Sequence, residues 1–463
     1  MSEDRALVLP PAFLKRMKQL LADEFDDFLA CYQKEPYRGL RLNPLKSGRE
    51  EIFDRFSHPR NLLSEHFHLS PVEWEELGFY YGTEDTPGKS PYHDAGVYYI
   101  QEPSAMYPVT RLAVDDSGLR ILDLCAAPGG KSTQIASYMN GQGILFANEI
   151  HPARVKILSE NIERMGIRNA LVLNETPDRL AERFPCYFDR ILVDAPCSGE
   201  GMFLKNEEAV SEWSPGNVER CAGRQADILE RAAEMLCFGG RLVYSTCTFS
   251  LEENEGVIEG LLKKHPEMEL LEETRLYPHK LRGEGHFAAV LEKKTGLSVS
   301  GKGAEGGAQK TERLKDHPEL ISFFRMEFRM PESFLGPLEK GRLLCFGSRL
   351  FAVPEGTPEL SGLKVLRPGL LLGENKKNRF EPSFALALAL RPQEVNHRAL
   401  LPLYDKTDPE APMRITGYLK GLTFSWPGEN GYYLICADGY SLGFGKLVNG
   451  TMKNHYPKGL RKQ

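Results

Sequence analysis

The 463-residue chain, 41% hydrophobic and 26% charged, has a globular composition and room for roughly two to four domains. Its formal charge of −6, from 58 basic and 64 acidic residues, excludes nucleic-acid binding by overall positive charge, so any such contact must come from local patches. Nine cysteines without a CxxC pair exclude a disulfide scaffold and a zinc ribbon, and no metal site is predicted.

In chain order, residues 12–34 read as one or two helices, with apolar positions three and four apart. The acidic start MSEDRALVLP matches neither a secretory signal nor a transit peptide. RGLRLNPLK follows, a short strand-like run ending at Pro44, and Arg38, Arg41 and Lys46 suggest a basic surface there. Residues 50–92 mix helical stretches with loops and turns. From Val97 the pattern changes to short apolar runs alternating with helix-like segments. The runs are Arg120–Leu124, Gly143–Asn148, Ala170–Leu173, Arg190–Val193 and Arg241–Ser245. Such alternation predicts a mostly parallel sheet covered on both faces, with ligands beyond the carboxyl ends of its strands. Ser250 and Glu253 have the spacing of a capping box opening the next helix. Residues 294–312, rich in Gly and Ser, read as a flexible linker. Beyond it lie further strand-like runs, Arg342–Phe351 and Gly431–Ala437. The longest apolar stretch, Phe384–Leu390, falls far short of the ~20 residues of a membrane span, and a reduced, cytoplasmic location is expected. The expected divisions are 1–92, 93–293, the linker 294–312, and 313–463.

Arg120–Thr133, RILDLCAAPGGKST, reads as strand, Gly-rich turn and helix. Gly129 and Gly130 would let backbone approach a ligand closely, but the spacing matches neither GxGxxG nor a P-loop. Glu149, at the end of the next apolar run, is placed to accept the hydroxyls of a ribose. An adenosine cofactor with few phosphates, such as S-adenosyl-L-methionine, fits this pair better than a dinucleotide.

Two cysteines end two successive candidate strands: Cys197 in FDRILVDAPCSGEGMF and Cys247 in GGRLVYSTCTFS. On parallel neighbours, both thiols reach the same carboxyl edge beside the cofactor. Carbon 5 of cytosine is a poor nucleophile until a thiolate adds at carbon 6 and makes an enamine, which then takes a methyl group. An acid beside the ring, here Asp194, offsets charge that develops there, and a second thiol can serve product release.

YIQEPSAM (Tyr99–Met106), DLCAAPGGKST (Asp123–Thr133), DAPCSGEG (Asp194–Gly201) and YSTCTFSLEENE (Tyr244–Glu255) resemble the Nol/Nop/Sun family of RNA 5-methylcytosine methyltransferases. RLNPLK (Arg41–Lys46) resembles an N-terminal element of that family, and Gly439–Arg461 resembles the PUA-like region of its RsmF-type branch, which acts on small-subunit ribosomal RNA. The resemblance implies a Rossmann-like class I methyltransferase fold with a mostly parallel seven-stranded sheet. It also implies an N-terminal α/β RNA-recognition extension and a C-terminal PUA-like α+β region. It makes Cys247 the nucleophile, Cys197 the residue of product release, and Asp194 and Lys131 catalytic. It assigns Cys125, Ala126, Ala127, Pro128, Gly129, Gly130, Lys131, Glu149, Arg154 and Asp194 to S-adenosyl-L-methionine. Where the family carries an Asp toward adenine, this chain has Thr176, with Asp178 two residues on as a substitute.

The expected partner is ribosomal RNA or the small subunit, not DNA or a membrane, and the protein is expected to be a monomer. In the last 23 residues Lys446, Lys453, Lys458, Arg461 and Lys462 stand without an acid, interspersed with Phe444 and Tyr456 and following Tyr440. That is the composition of a surface that meets phosphate with charge and bases with rings. A DNA cytosine-5 methyltransferase would instead use the Pro-Cys cysteine, Cys197, as nucleophile, and the additional Cys247 argues against it. The sequence also admits methylation of another RNA such as tRNA, or a non-catalytic ribosome-assembly factor.

Overall fold

A computed structural model describes residues 8–47, 63–115, 117–294, 309–327, 332–377, 379–403 and 408–462. Most of the expected linker at 294–312 lies outside them. The first helices, Pro11–Leu21 and Phe25–Cys31, bury Phe13, Met17, Leu21 and Phe28 along one stripe. That stripe packs on Phe203, Trp213 and Phe249, which belong to the loops following the two cysteine strands.

β1 (Gly39–Leu42), β2 (Ser70–Val72), β3 (Glu75–Tyr80) and β4 (Tyr98–Ile100) form an antiparallel sheet in the order β2-β3-β1-β4. The 50–92 stretch thus holds two strands that its sequence pattern did not announce. In β3, EELGFY, nearly every residue is buried, so the alternation that marks a half-exposed strand is absent.

The central sheet is built from β5 (Arg120–Asp123), β6 (Ile144–Asn148), β7 (Ala170–Leu173), β8 (Phe188–Asp194), β9 (Leu236–Thr246), β10 (Met268–Leu276) and β11 (His286–Lys293). β9-β8-β5-β6-β7 run parallel, while β11 and β10 extend the β9 side antiparallel. Because both faces are covered, neighbouring residues of one strand are buried in different layers. Ile121 joins Ile135, Leu158 and Ile162 of helices Gly130–Met139 and Pro152–Arg164. Leu122 joins Leu180, Leu229 and Ile258 of helices Pro177–Arg183, Pro215–Met235 and Glu255–Lys264. The crossovers diverge on either side of β5, which makes its carboxyl end the topological switch point where such sheets bind ligands.

In the C-terminal region, the expected single run at Arg342–Phe351 is a hairpin, β12 (Leu343–Phe346) and β13 (Arg349–Ala352). Gly347, at φ +59°, starts its two-residue turn in the left-handed region that favours glycine. β14 (Val365–Arg367) pairs antiparallel with β7, so the seven strands expected in the central sheet gain an eighth from outside the methyltransferase segment. It covers an edge that would otherwise present unpaired backbone groups. β15 (Leu370–Lys376) and β16 (Arg379–Pro382) complete a small sheet, β12-β13-β15-β16. The apolar run at 384–390 is the buried helix Phe384–Ala389, capped by Ser383, whose hydroxyl oxygen accepts from Leu386 N at 2.9 Å. β17 (Arg398–Leu401), β18 (Phe424–Ser425), β19 (Gly431–Ala437), β20 (Tyr440–Val448) and β21 (Thr451–Asn454) form the last sheet, in the order β17-β19-β20-β21-β18.

This last sheet shares one apolar core with the first: Leu40, Leu42, Phe79 and Tyr98 pack in the same cluster as Leu401, Ile415, Ile435 and Leu442. Tyr92 OH donates to Asp438 Oδ2 at 2.7 Å across that seam. Among the described residues, no helix is long and apolar enough to cross a membrane.

Candidate active site

The Gly-rich loop leaves β5 and turns at Gly129, whose φ of +117° only glycine adopts readily, into helix Gly130–Met139. Its backbone is braced from the neighbouring unit. Ala126 N donates to Asn148 O at 2.8 Å, Arg154 Nη2 to Ala127 O at 2.7 Å, and Asn161 Nδ2 to Pro128 O at 2.9 Å. The Asn148 amide ties the loops after β5 and β7 together, donating to Leu124 O and Glu175 O and accepting from Glu175 N.

These loops enclose a cavity of about 770 Å³, of a size for a nucleoside-bearing ligand. Leu124, Cys125, Ala127, Glu149, Arg154, Asp178, Asp194, Cys197 and Cys247 line it. Ala126, Pro128, Gly129, Gly130 and Lys131 shape the loop behind that wall. Glu149 is buried; its Oε1 accepts from His151 N at 2.9 Å, and its Oε2 lies 3.4 Å from Arg154 Nη1. Thr176 does not line the cavity. Its hydroxyl caps helix Pro177–Arg183 by accepting from Arg179 N at 3.3 Å, so of the two adenine candidates only Asp178 faces the space.

Parallel pairing of β8 and β9 brings the two cysteines together, Sγ to Sγ at 3.2 Å, well beyond the ~2.05 Å of a disulfide. The hydrogen bond with Cys247, and then burial, push the Cys197 thiol well above its usual range. The two loops are stitched to each other: Gly201 N donates to Cys247 O at 2.8 Å, and Glu253 accepts from Ser198 N and Gln225 Nε2, both at 2.9 Å. The capping box expected at Ser250 is thus half present. Ser250 Oγ accepts from Glu253 N at 3.3 Å, but the Glu253 carboxylate turns to the Cys197 loop, and helix Glu255–Lys264 starts at Glu255.

At the end of β8, Asp194 accepts from Lys131 Nζ and Ser245 Oγ, each at 2.8 Å, and His286 Nε2 approaches to 3.7 Å. Burial alone would raise this carboxyl, but Lys131 and His286 hold it well below the usual carboxylate range. Burial likewise opposes the charge on Lys131, and Asp194 more than restores it. Burial pushes the Cys125 thiol up, and it lifts Asp123, which accepts from Ser132 Oγ at 2.6 Å, to about 7.

Three contributors went unread in the sequence. Ser245 was visible inside YSTC, and Gln225 sits on a helix with no motif. His286 opens an antiparallel strand far along the chain with no local signal.

The expected RNA surfaces need correction. Tyr440, Phe444 and Tyr456 are buried and form core, not stacking platforms. Arg41 and Lys46 are buried as well. Arg41 donates to Gln101 Oε1, Ser137 Oγ and Thr133 Oγ1, bracing the helix after the Gly-rich loop. Lys46 donates to Leu388 O, one of the last carbonyls of helix Phe384–Ala389. Arg38 donates to Thr83 O at 2.9 Å. Of the tail cations, Lys453 and Lys458 are exposed, Lys446 lies over the Tyr432 ring, Arg461 is half-buried, and Lys462 pairs with Asp94.

Sheet, braced loop and ligand cavity together define a Rossmann-like class I methyltransferase, a class that takes its methyl group from S-adenosyl-L-methionine. Residues 109–292 match the family model of 16S rRNA methyltransferase RsmB/F. Residues 9–103 match the N-terminal domain of 16S rRNA methyltransferase RsmF, 324–390 the first C-terminal domain of RsmF, and 413–462 its PUA domain. Ribosomal RNA small subunit methyltransferase F of Vibrio campbellii is 31% identical over 98% of this chain and 97% of its own length. The protein of that name from Escherichia coli O17:K52:H18 is 39% identical over 58% of this chain and 57% of its own. The chain belongs to the RsmF family of 16S rRNA methyltransferases. Among solved structures, PH0851 superposes with a TM-score of 0.56 at 29% identity over 62% of this chain and 66% of its own. NSun6 from Pyrococcus horikoshii with SFG shares the fold, with a TM-score of 0.54 at 22% identity over 62% of this chain and 99% of its own.

Proposed function

We propose that this protein methylates carbon 5 of a cytosine in 16S ribosomal RNA, with Cys247 as covalent nucleophile and Cys197 assisting product release. The observation that carries the reading is the pair of thiols 3.2 Å apart on the wall of the cavity that Glu149 and the Gly-rich loop also line.

The cavity suits S-adenosyl-L-methionine. Glu149 offers a buried carboxylate to ribose hydroxyls, Asp178 an acceptor to an adenine amine, and Leu124 and Ala127 an apolar wall. When bound, the cofactor supplies an electrophilic methyl group on a sulfonium. Arg154 orients Glu149 and the Ala127 carbonyl from one helix, and the ion pair between Lys131 and Asp194 keeps both charged beside the cavity.

A cytosine must leave any stack to reach this wall, so the substrate is flipped or single-stranded. Cys247 Sγ, as thiolate, forms the bond to carbon 6 while its proton is taken up at ring N3, and Asp194, ion-paired with Lys131, accepts a hydrogen bond from the protonated edge of the ring. After methyl transfer a base takes the carbon-5 proton, the carbon–sulfur bond breaks, and Cys247 leaves as thiolate. Cys197, whose sulfur lies 3.2 Å away, is placed to relay the ring N3 proton back to that departing sulfur. The boundaries 1–92, 93–293 and 313–463 are read as RNA-recognition extension, catalytic domain and PUA-bearing region, the enzyme acting as a monomer on RNA and not DNA.

The test is methyl transfer from labelled S-adenosyl-L-methionine to naked 16S rRNA, assembled small subunits, tRNA and DNA side by side, with products digested to nucleosides. Label in 5-methylcytosine from rRNA or subunits is the expected result. Label at another position of the base, or only in tRNA or DNA, would overturn the proposal.

A further inference from the structure

We propose that Glu312, His317 and Cys345 form a zinc-binding site in the C-terminal region, remote from the methyl-transfer cavity, with Asn375 holding the His317 ring from behind. Glu312 Oε2 lies 2.8 Å from His317 Nε2 and 3.1 Å from Cys345 Sγ, and that sulfur lies 3.7 Å from the same Nε2. Three donor atoms of three kinds therefore face one point. A tetrahedral zinc with bonds of ~2.0–2.1 Å to nitrogen and oxygen and ~2.3 Å to sulfur would space them about 3.3–3.6 Å apart. Each edge of the observed triangle is within about half an ångström of that, so small side-chain rotations open the seat.

A nucleophile-and-base reading of the same residues fails on geometry. In a Cys–His–carboxylate triad the acid holds the ring nitrogen that faces away from the thiol. Here thiol and carboxylate meet the same nitrogen, Nε2, and Nδ1 faces the Asn375 amide at 3.3 Å. A metal-bound histidine donates its other ring N–H to an oxygen acceptor, and the Asn375 amide can supply one here. Its Oδ1 is buried without a hydrogen-bond partner, and a half-turn of the amide sets it to accept from Nδ1–H. The Nε2 lone pair is then free for an ion.

The ligands arrive from separate elements. Glu312 is bridged to Leu343 by a 2.7 Å backbone hydrogen bond, His317 precedes helix Pro318–Ser322, Cys345 lies on β12 and Asn375 on β15. An ion would clasp the segment entering this domain to its sheet. Thiolate, imidazole and carboxylate together favour zinc over magnesium or calcium, and half-exposed Glu312 leaves the fourth position open to water.

The experiment strips the full-length protein with chelator and titrates it with zinc chloride and with cobalt(II) chloride. Expected is one equivalent bound, with a thiolate-to-cobalt charge-transfer band and tetrahedral visible bands. Cys345→Ser abolishes the charge-transfer band, and a Cys197→Ser/Cys247→Ser double variant keeps it. Asn375→Ala weakens zinc binding by about 10–100-fold at unchanged stoichiometry. Should Cys345→Ser fail to fold, Glu312→Gln, altered at the exposed ligand, serves instead and is expected to weaken zinc binding at least about tenfold. Absence of the band in the unaltered protein, its loss with Cys197 and Cys247, or unchanged affinity in Glu312→Gln would each overturn the site.

Discussion

Cys197 and Cys247 stand just beyond the carboxyl ends of adjacent parallel strands, where strand register and the hydrogen bonds between the two loops set their separation, while Cys345 stands on a hairpin among side chains gathered from a bridge, a helix start and another strand. The first arrangement pairs thiol with thiol beside a Lys–Asp ion pair; the second sets a thiol against imidazole and carboxylate. Backbone topology positions a group that must meet a passing substrate. Convergent side chains from independent elements suit a bound ion that holds those elements together.

That contrast can be broken at either end. Cys247→Ala is expected to lower methyl transfer by at least about 10³-fold, the scale of losing a covalent nucleophile, whereas Cys345→Ser leaves transfer within about twofold; filter-bound label measures both. If both variants lose transfer equally, the two regions are not separate. Cys197→Ala is expected to accumulate a protein–RNA adduct that survives denaturing electrophoresis and is absent from the Cys197→Ala/Cys247→Ala double variant. An adduct in Cys247→Ala would reverse the roles. Glu149→Ala removes hydrogen bonds to ligand hydroxyls, and its KM for S-adenosyl-L-methionine should rise about 10–100-fold with kcat little changed.

Smaller effects sharpen the picture. His286→Phe leaves Asp194 its Lys131 and Ser245 partners, and a kcat loss of no more than about tenfold is expected, a mild case of losing one support in an acid–base site. Lys453→Ala/Lys458→Ala should lower the slope of log affinity for rRNA against log salt by about two, one for each phosphate that a lysine no longer neutralises. An unchanged slope would remove these exposed cations from the RNA surface.

The parts legible in the sequence were those whose geometry is local. A strand, a Gly-rich turn and a helix within Arg120–Thr133 fix the loop, and two strand ends fix the thiols. What failed to show depends on facing. Tyr440, Phe444 and Tyr456 are interspersed with cations in the same way whether they meet RNA or a core, and here they meet the core. Arg41 and Lys46 look like surface charge, yet they turn inward to hydroxyls and carbonyls left over by neighbouring helices. Ser250 and Glu253 have capping-box spacing, but the acid serves a loop some fifty positions away, joined only when β8 and β9 pair. His286, Gln225 and the Glu312–His317–Cys345–Asn375 set follow no spacing, because each is assembled by tertiary contact alone.

The core shared by the first and last sheets has a consequence for how the molecule comes into being. Tyr92 waits for Asp438, 346 positions later, and Leu40 and Leu42 wait for Leu401 and Ile435. On a ribosome adding ~5–20 residues per second, the central parallel sheet can form while that early apolar face still lacks its cover. The nascent chain therefore leaves that apolar face uncovered for tens of seconds, and the strands around Leu401 and Ile435 close a core begun around Leu40.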